Sequence, residues 1–196
     1  MRSEKKYIGV VGQIACGKGE LKDYLVEELG FTSFSLSSIV HEELRKNGVT
    51  EFTRKALQDM GDELRKKYGD AVLAKLTINK VKDPKSKIKD LIVIEGIRNP
   101  GEIEFLKKLP HFVLIGVKAK RELRFKRLLK RNKEWDPKVW NDFLIVDRRD
   151  LGVGQKKSGQ QVGKCLHYCD YILTNNRDVR DFQRKVKNLM EKVFRR

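Results

Sequence analysis

Short apolar runs alternate along the chain with stretches in which apolar residues recur every three or four positions, a pattern that predicts repeated strand–helix units. The first run, Tyr7–Gly12, reads as a buried strand, and the following Gly17–Leu29 as a helix with Leu21, Tyr24, Leu25 and Leu29 on its inner side. Phe31–Leu36 reads as a second strand by its aromatic alternation. Ser37 or Ser38 is placed to cap a short helix through Arg45. Thr53 caps another, where Leu57, Met60, Gly61, Leu64 and Tyr68 repeat at helical spacing. A further helix covers about Asp70–Val81, and the polar stretch Lys82–Asp90 is expected to be a surface loop. Leu91–Glu95 and Phe112–Val117 are near-continuous apolar runs, as parallel strands covered on both faces are. Pro100 opens a helix between them at its first turn. A basic helix, Lys120–Arg131, then precedes the last strand, Tyr171–Leu173, and the closing helix, Val179–Phe194. Neither an internal repeat nor a second domain boundary is visible, so residues 1–196 are expected to form one α/β domain with a parallel sheet. Such units have right-handed crossovers and take ligands at the carboxyl ends of the strands.

Chemistry enters where the first strand ends. Gly12 and Gly17 bracket Gln13, Ile14, Ala15 and Cys16, and Lys18 follows at once, which is the spacing G-x-x-x-x-G-K of a phosphate-binding loop. Glycines let the backbone wrap so that successive N–H groups point at phosphate oxygens, Lys18 adds a positive charge, and the next helix presents its N-terminus. Gly19, with Glu20 behind it, stands where a Ser or Thr usually ligates Mg²⁺. That change removes a direct metal ligand and leaves the phosphate cradle.

Three more constellations fall near strand ends. In Ile92-Val93-Ile94-Glu95-Gly96-Ile97-Arg98, Glu95 is suited to hold Mg²⁺ through water or to orient an attacking oxygen, and Arg98 to grip a phosphate. Ser37, Ser38, Arg45 and Arg54 could present helix N–H groups and cations to a second, phosphate-bearing substrate; a solvated surface role for Arg45 is an equal alternative. Arg124, Arg127 and Arg131 project within about 60° of one another on a helix, as one cationic face. Asp147-Arg148-Arg149-Asp150 precedes Gly152, Gly154 and Gly159, and is read as arginines on a glycine-hinged flap that closes over the transferring phosphate.

Composition adds little that separates these readings. The formal net charge of +17 suits polyanionic ligands, whether nucleotides, coenzymes or nucleic acid, but the cations are spread over the whole chain. The absence of an apolar stretch near the roughly 20 residues of a membrane span argues against a membrane protein. Met1 to Lys6 leads straight into the first strand, so no secretory signal is expected. Three cysteines suit a reducing cytoplasm better than a disulfide framework, and Cys165 and Cys169, flanking His167, are expected to be small buried side chains and not metal ligands.

Four segments carry a resemblance: 12–20, 57–69 (Leu-Gln-Asp-Met-Gly-Asp-Glu-Leu-Arg-Lys-Lys-Tyr-Gly), 95–102 (Glu-Gly-Ile-Arg-Asn-Pro-Gly-Glu) and 169–176 (Cys-Asp-Tyr-Ile-Leu-Thr-Asn-Asn). With them the chain resembles P-loop kinases of the nucleoside-monophosphate kinase type, in the adenylate kinase and dephospho-CoA kinase group. It is especially similar to small kinase-like proteins that also occur fused to deoxycytidylate deaminase domains. Adenylate kinases also write Gly after the P-loop lysine. Their acidic-Gly-aromatic-Pro-Arg strand end is echoed by Glu95 to Arg98 without the proline, and their acceptor motif survives only as Ser37-Ser38 and Leu44-Arg45, which gives no support for AMP specificity. The resemblance implies a three-layer α/β/α P-loop NTPase fold, a small acceptor-binding insert near 37–88, a lid near 132–164, and Asn175 near the donor base.

It further implies ATP as donor, Mg²⁺, and transfer to a nucleotide. Residues 12–20 would hold ATP; Ser37, Ser38, Arg45, Arg54 and Arg98 the acceptor; Arg127, Arg131, Arg148 and Arg149 the charge in transit. Dephospho-CoA kinase is the alternative enzyme, and an NTP-binding regulator associated with nucleic acid is the alternative from another class.

Overall fold

The structure is a computed structural model and describes residues 5–83, 88 and 90–195. Five strands among them, β1 (Lys6–Gly12), β2 (Thr32–Ser35), β3 (Leu91–Ile97), β4 (Phe112–Lys118) and β5 (Tyr171–Thr174), form one sheet. All of its pairings are parallel and the order is β2-β3-β1-β4-β5. The chain leaves β1 for the far edge at β2, returns through β3, and crosses to β4 on the other side. The switch in winding direction lies at β1, and its carboxyl end opens a crevice there.

Alternation along β1 sorts its side chains between two cores. Ile8 and Val10 pack with Leu21 and Leu25 of α1 (Lys18–Glu27) and with Phe182 and Val186 of α9 (Val179–Phe194). Tyr7 and Val11 join the opposite core, with Leu36, Ile39 and Val40 of α2 (Leu36–Lys46) and Leu73 and Ile78 of α4 (Val72–Lys82). Ile103 and Leu106 of α5 (Pro100–Leu106) complete that side. The result is helix, sheet and helix in three layers, the α/β architecture of P-loop proteins.

Several helix starts obey their local signals. The Thr53 hydroxyl accepts from Ala56 N at 3.0 Å and starts α3 (Arg54–Tyr68). Asn99 and Glu102 form a capping box around Pro100 at the head of α5. Asp178 caps α9 through Asp181 N at 2.8 Å. The second strand, by contrast, ends at Ser35, and α2 starts at Leu36. Ser37 and Ser38 are therefore first-turn residues and not caps.

The larger correction concerns residues 132–164. After α6 (Arg121–Arg131) the chain forms α7 (Trp140–Leu151), a helix absent from the sequence reading, and then α8 (Val162–Cys165) and a short 3₁₀ turn at 166–168. Phe143 of α7 is fully buried against Ile14 and Leu128. The glycine-rich stretch that follows is pinned. Asn99 Nδ2 donates to Lys157 O and Gly159 O, and Gln161 Nε2 to Lys156 O and Lys157 O, all between 2.8 and 3.0 Å. The expected loop at Lys82–Asp90 and the leading residues Met1–Glu4 fall mostly outside the described residues. Among those described, no helix is long and apolar enough to cross a membrane.

Candidate functional site

A cleft of about 840 Å³ opens at the carboxyl ends of β1 and β3. One wall is the β1–α1 loop, where Ala15 (φ 57°) and Gly17 (φ 107°) take left-handed conformations. A Cβ on Gly17 would stand 2.1 Å from Asn175 Nδ2, so this position demands glycine on two counts. That amide, just beyond β5, donates to Cys16 O at 3.2 Å. Lys18 Nζ donates to Gly12 O at 2.6 Å and to Gln13 O at 2.8 Å, which lays the ammonium across its own loop. Arg127 reaches from α6 to Asn175 O and Oδ1, both at 3.1 Å. Gly17, Lys18, Gly19, Glu20, Arg127 and Asn175 all line the cleft, with Arg177 and Val179 beyond them. Cys16 is fully buried beneath the loop.

The loop is braced from behind by α7. Asp147, 0 % exposed, accepts two bonds from the Arg124 guanidinium (2.6 and 3.0 Å), one from Arg121 Nε (3.1 Å) and one from Gln13 Nε2 (3.0 Å). Asp150, 1 % exposed, accepts from Ile14 N at 3.1 Å and from Arg98 Nη1 at 2.6 Å. Spacing of i and i+3 puts both carboxylates on the loop-facing side of one helix.

The opposite wall comes from α2, α3 and the end of β3. Ser37, Val40 and His41 face Arg54, Leu57, Gln58 and Gly61 across it. Glu95 and Arg98 line its edge, separated by a bulge at Gly96, where the β1–β3 register slips. Gly96 has φ 83°, and a Cβ there would lie 3.3 Å from Ser37 N. The glycine thus lets β3 pass close beneath the start of α2. Gln58 Nε2 donates to Gln160 Oε1 at 3.3 Å, and the same oxygen accepts from Arg98 Nη1. At the mouth, Arg54 Nη2 donates to Asp136 Oδ1 at 2.7 Å and Arg131 donates to both oxygens of that carboxylate. Burial pushes the Asp136 carboxyl up, but the Arg131 and Arg54 hydrogen bonds outweigh it and hold it below the usual range. His41 meets Phe52 edge-on at 4.8 Å and Trp135 at 5.9 Å. Its burial, with Arg45, Arg54 and Lys133 nearby, lowers its pKa.

The structure brings most of the sequence-predicted residues to this cleft: Ile14, Ala15 and residues 17–20 of the loop, Asn175, Ser37, Arg54, Glu95, Arg98, Arg127 and Arg131, with Gly12, Gln13 and Cys16 outside the lining. Others lie elsewhere. Arg45 is exposed and stacks on the Phe52 ring at 5.4 Å, outside the lining. Ser38 is exposed and donates to Ser35 O at 2.7 Å. Arg148 is exposed on α7, and Arg149 pairs with Asp59 (2.6 Å) and Asp62 (2.9 Å) on α3. Arg149 therefore braces α7 against α3, and neither arginine lines the cleft, because α7 turns its acids toward the loop. Asp136, Asp147, Asp150, Gln58 and Gln160 were not among the sequence candidates. The Asp-x-x-Asp spacing was a visible signal for two of them; nothing local marks the other three. Of the cysteines, burial pushes Cys169 up to about 12 and Cys165 further, so both remain thiols.

Comparison with known proteins places this geometry. A family model described as an AAA domain matches residues 8–143. UPF0200 protein PH1008 of Pyrococcus horikoshii is 31% identical over 188 residues, covering 94% of this chain and 96% of that protein. Shikimate kinase from Acinetobacter baumannii is structurally similar with a TM-score of 0.58 at 19% identity, over 96% of this chain and 94% of that one. Dephospho-CoA kinase from Campylobacter jejuni gives 0.54 at 19% identity, over 96% and 97%. These likenesses establish a P-loop kinase-like fold.

Proposed function

This chain belongs to the UPF0200 family and carries the P-loop kinase-like fold, and from that premise we propose that it transfers the γ-phosphoryl group of ATP to a nucleoside monophosphate. The observation that carries the reading is a single cleft whose walls join the Lys18 loop to Arg54, Arg98 and Arg131. Backbone amides of residues 12–19 and Lys18 take the donor β- and γ-phosphates, with Arg127 over them and Asn175 toward the base. Arg98 and Arg54 take the acceptor phosphate. Val40, Leu57, Gly61 and Leu73 make an apolar slot beside the Gln58–Gln160 amides, which suits a planar base with a hydrogen-bonding edge. Positioning and charge stabilisation supply most of phosphoryl-transfer catalysis, so no covalent nucleophile is required.

Mg²⁺ fits the donor set in a limited way. No three His, Cys, Asp or Glu side chains converge to hold a metal among the described residues, and Gly19 brings no hydroxyl. Glu95, at the cleft edge, would hold the ion through water, and the nucleotide oxygens would supply the rest. When bound, the ion neutralises charge developing on the β- and γ-phosphates. The relation to deaminase-fused proteins favours a deoxynucleotide acceptor, by analogy alone. A cytoplasmic setting accompanies this reading.

The test is a coupled assay with ATP against ribo- and deoxynucleoside monophosphates, the matching nucleosides and dephospho-CoA. Fast transfer to a monophosphate is expected. Preference for a nucleoside overturns the acceptor assignment, and preference for dephospho-CoA replaces it with the alternative kinase. No transfer with steeply salt-dependent RNA binding replaces the enzyme by a nucleic-acid-associated protein.

A further inference from the structure

One buried carboxylate touches both halves of the cleft. Asp150 Oδ2 accepts from the Ile14 amide inside the P-loop, and Oδ1 accepts from Arg98 Nη1 at the acceptor wall. These partners are 136 and 52 residues away in the chain. Asp147, one turn earlier, binds among the described residues Gln13, Arg121 and Arg124, none of them on the acceptor wall. We propose that Asp150 is a positioning residue that couples acceptor binding at Arg98 to the conformation of the donor loop, the two partners sharing one carboxylate.

The physics follows from burial. Asp150 is 1 % exposed, so water cannot replace a lost partner, and loosening Arg98 changes how firmly the carboxylate holds Ile14 N. Ile14 immediately precedes Ala15, whose left-handed turn sets the path of the phosphate-binding amides. Arg98 gives Nη1 to Asp150 and Gln160, and within the described residues its Nε and Nη2 stay available to a phosphate in the cleft. An acceptor phosphate on Arg98 therefore acts on the donor loop through Asp150. Coupling of this kind is reciprocal: ATP strengthens acceptor binding by the factor with which the acceptor strengthens ATP binding.

The inference rests on the proposed function only in assigning Arg98 to the acceptor, so the first experiment uses no acceptor. Amide exchange at Ile14 is measured by NMR in the full chain, with Val10 in the core of β1 reporting global opening. Arg98→Ala should speed exchange at Ile14 about tenfold beyond any change at Val10. Asp150→Asn, which keeps the shape and loses the charge, should do the same. The double variant should add nothing further, as expected of residues acting through one contact. If Ile14 accelerates no more than Val10 in Arg98→Ala, the coupling is overturned.

The second experiment measures ATP binding by calorimetry with and without dCMP as probe. In the wild type dCMP should tighten ATP binding about tenfold, within the usual range of coupled sites. In Asp150→Asn that factor should fall to about one, whatever the change in the Kd for ATP alone. A variant that weakens ATP alone and keeps the dCMP effect would show a plain loop brace and overturn the proposal. A wild type indifferent to dCMP counts against the nucleotide reading, and the exchange at Ile14 then decides the coupling by itself.

Discussion

Under the proposed assignment, the donor and acceptor halves of the cleft use cations in opposite ways. On the donor side Lys18 and Arg127 bind backbone carbonyls, and no carboxylate pairs with either among the described residues. On the acceptor side Arg54, Arg98 and Arg131 each bind a buried acid, Asp136 being shared by two and Asp150 serving the third. Three guanidinium groups against two carboxylates leave about one net charge. Carbonyl dipoles remove no net charge, so Lys18 and Arg127 keep their full charges toward a polyphosphate. The acceptor half keeps its arginines aimed while presenting a field suited to a single phosphate. Counting basic residues along a sequence cannot tell these situations apart.

The largest effect should come from the uncompensated side. Lys18→Ala is expected to cut kcat by a factor of about 10²–10³ or more, on the scale of removing a preorganised charge donor, with thermal unfolding unchanged. Near-wild-type turnover in that variant would remove the loop from the mechanism. Arg98→Ala comes next. Loss of a charge-assisted phosphate contact, worth about 1.5–3 kcal/mol, should lower kcat/KM for the acceptor about 10- to 150-fold and leave the Kd for ATP alone nearly unchanged. Weakened ATP binding with unmoved acceptor kinetics would place Arg98 on the donor side and erase the contrast.

The two halves were also unequally legible in the sequence. The donor loop is one contiguous segment whose spacing carries its own geometry, and Gly17 and Lys18 stand where that spacing puts them. Helices with local caps, such as those at Thr53, Asn99 and Asp178, were equally readable, the last to its ends at Val179 and Phe194. The acceptor half depends on pairs 82 and 52 residues apart, Arg54 with Asp136 and Arg98 with Asp150, which no local pattern announces. Helix α7 was hidden for a related reason. Its inward face carries Phe143 with two acids, and charged positions and following glycines look like a solvated flap until Arg124, Arg98 and Ile14 N arrive to satisfy them. Arg148 is then exposed and Arg149 is tied to Asp59 and Asp62 of α3, so neither lines the cleft as the sequence predicts.

Backbone geometry offers a gentler way to separate the halves. Gly96→Ala forces a side chain onto φ 83° and presses its Cβ against Ser37 N at 3.3 Å. The strain should cost about 1–2 kcal/mol and lower Tm by about 3–6 °C. Because the pressure falls on the start of α2, acceptor KM should rise several-fold with ATP binding intact. Equal losses at both sites would mean that β3 transmits strain to the P-loop as readily as to α2.

The smallest expected effect is electrostatic and belongs wholly to the acceptor half. His41 is packed against Phe52 and Trp135 with Arg45, Arg54 and Lys133 around it, and its folded pKa is lowered, first by burial and then by those cations. The unfolded chain therefore binds the proton more readily than the folded one. This contribution to stability is complete above the ordinary histidine value of about 6.5 and is lost as pH falls below it. His41→Phe keeps an aromatic ring against Phe52 and Trp135 and cannot titrate. The Tm difference between wild type and variant, constant above pH 7, should shift by about 1–2 °C in favour of the variant between pH 6.5 and 5. ATP binding should be indifferent to the substitution across that range, because the surrounding cations lie on the acceptor wall and at the mouth. A parallel drift in ATP affinity would show that protonation at His41 is felt across the cleft.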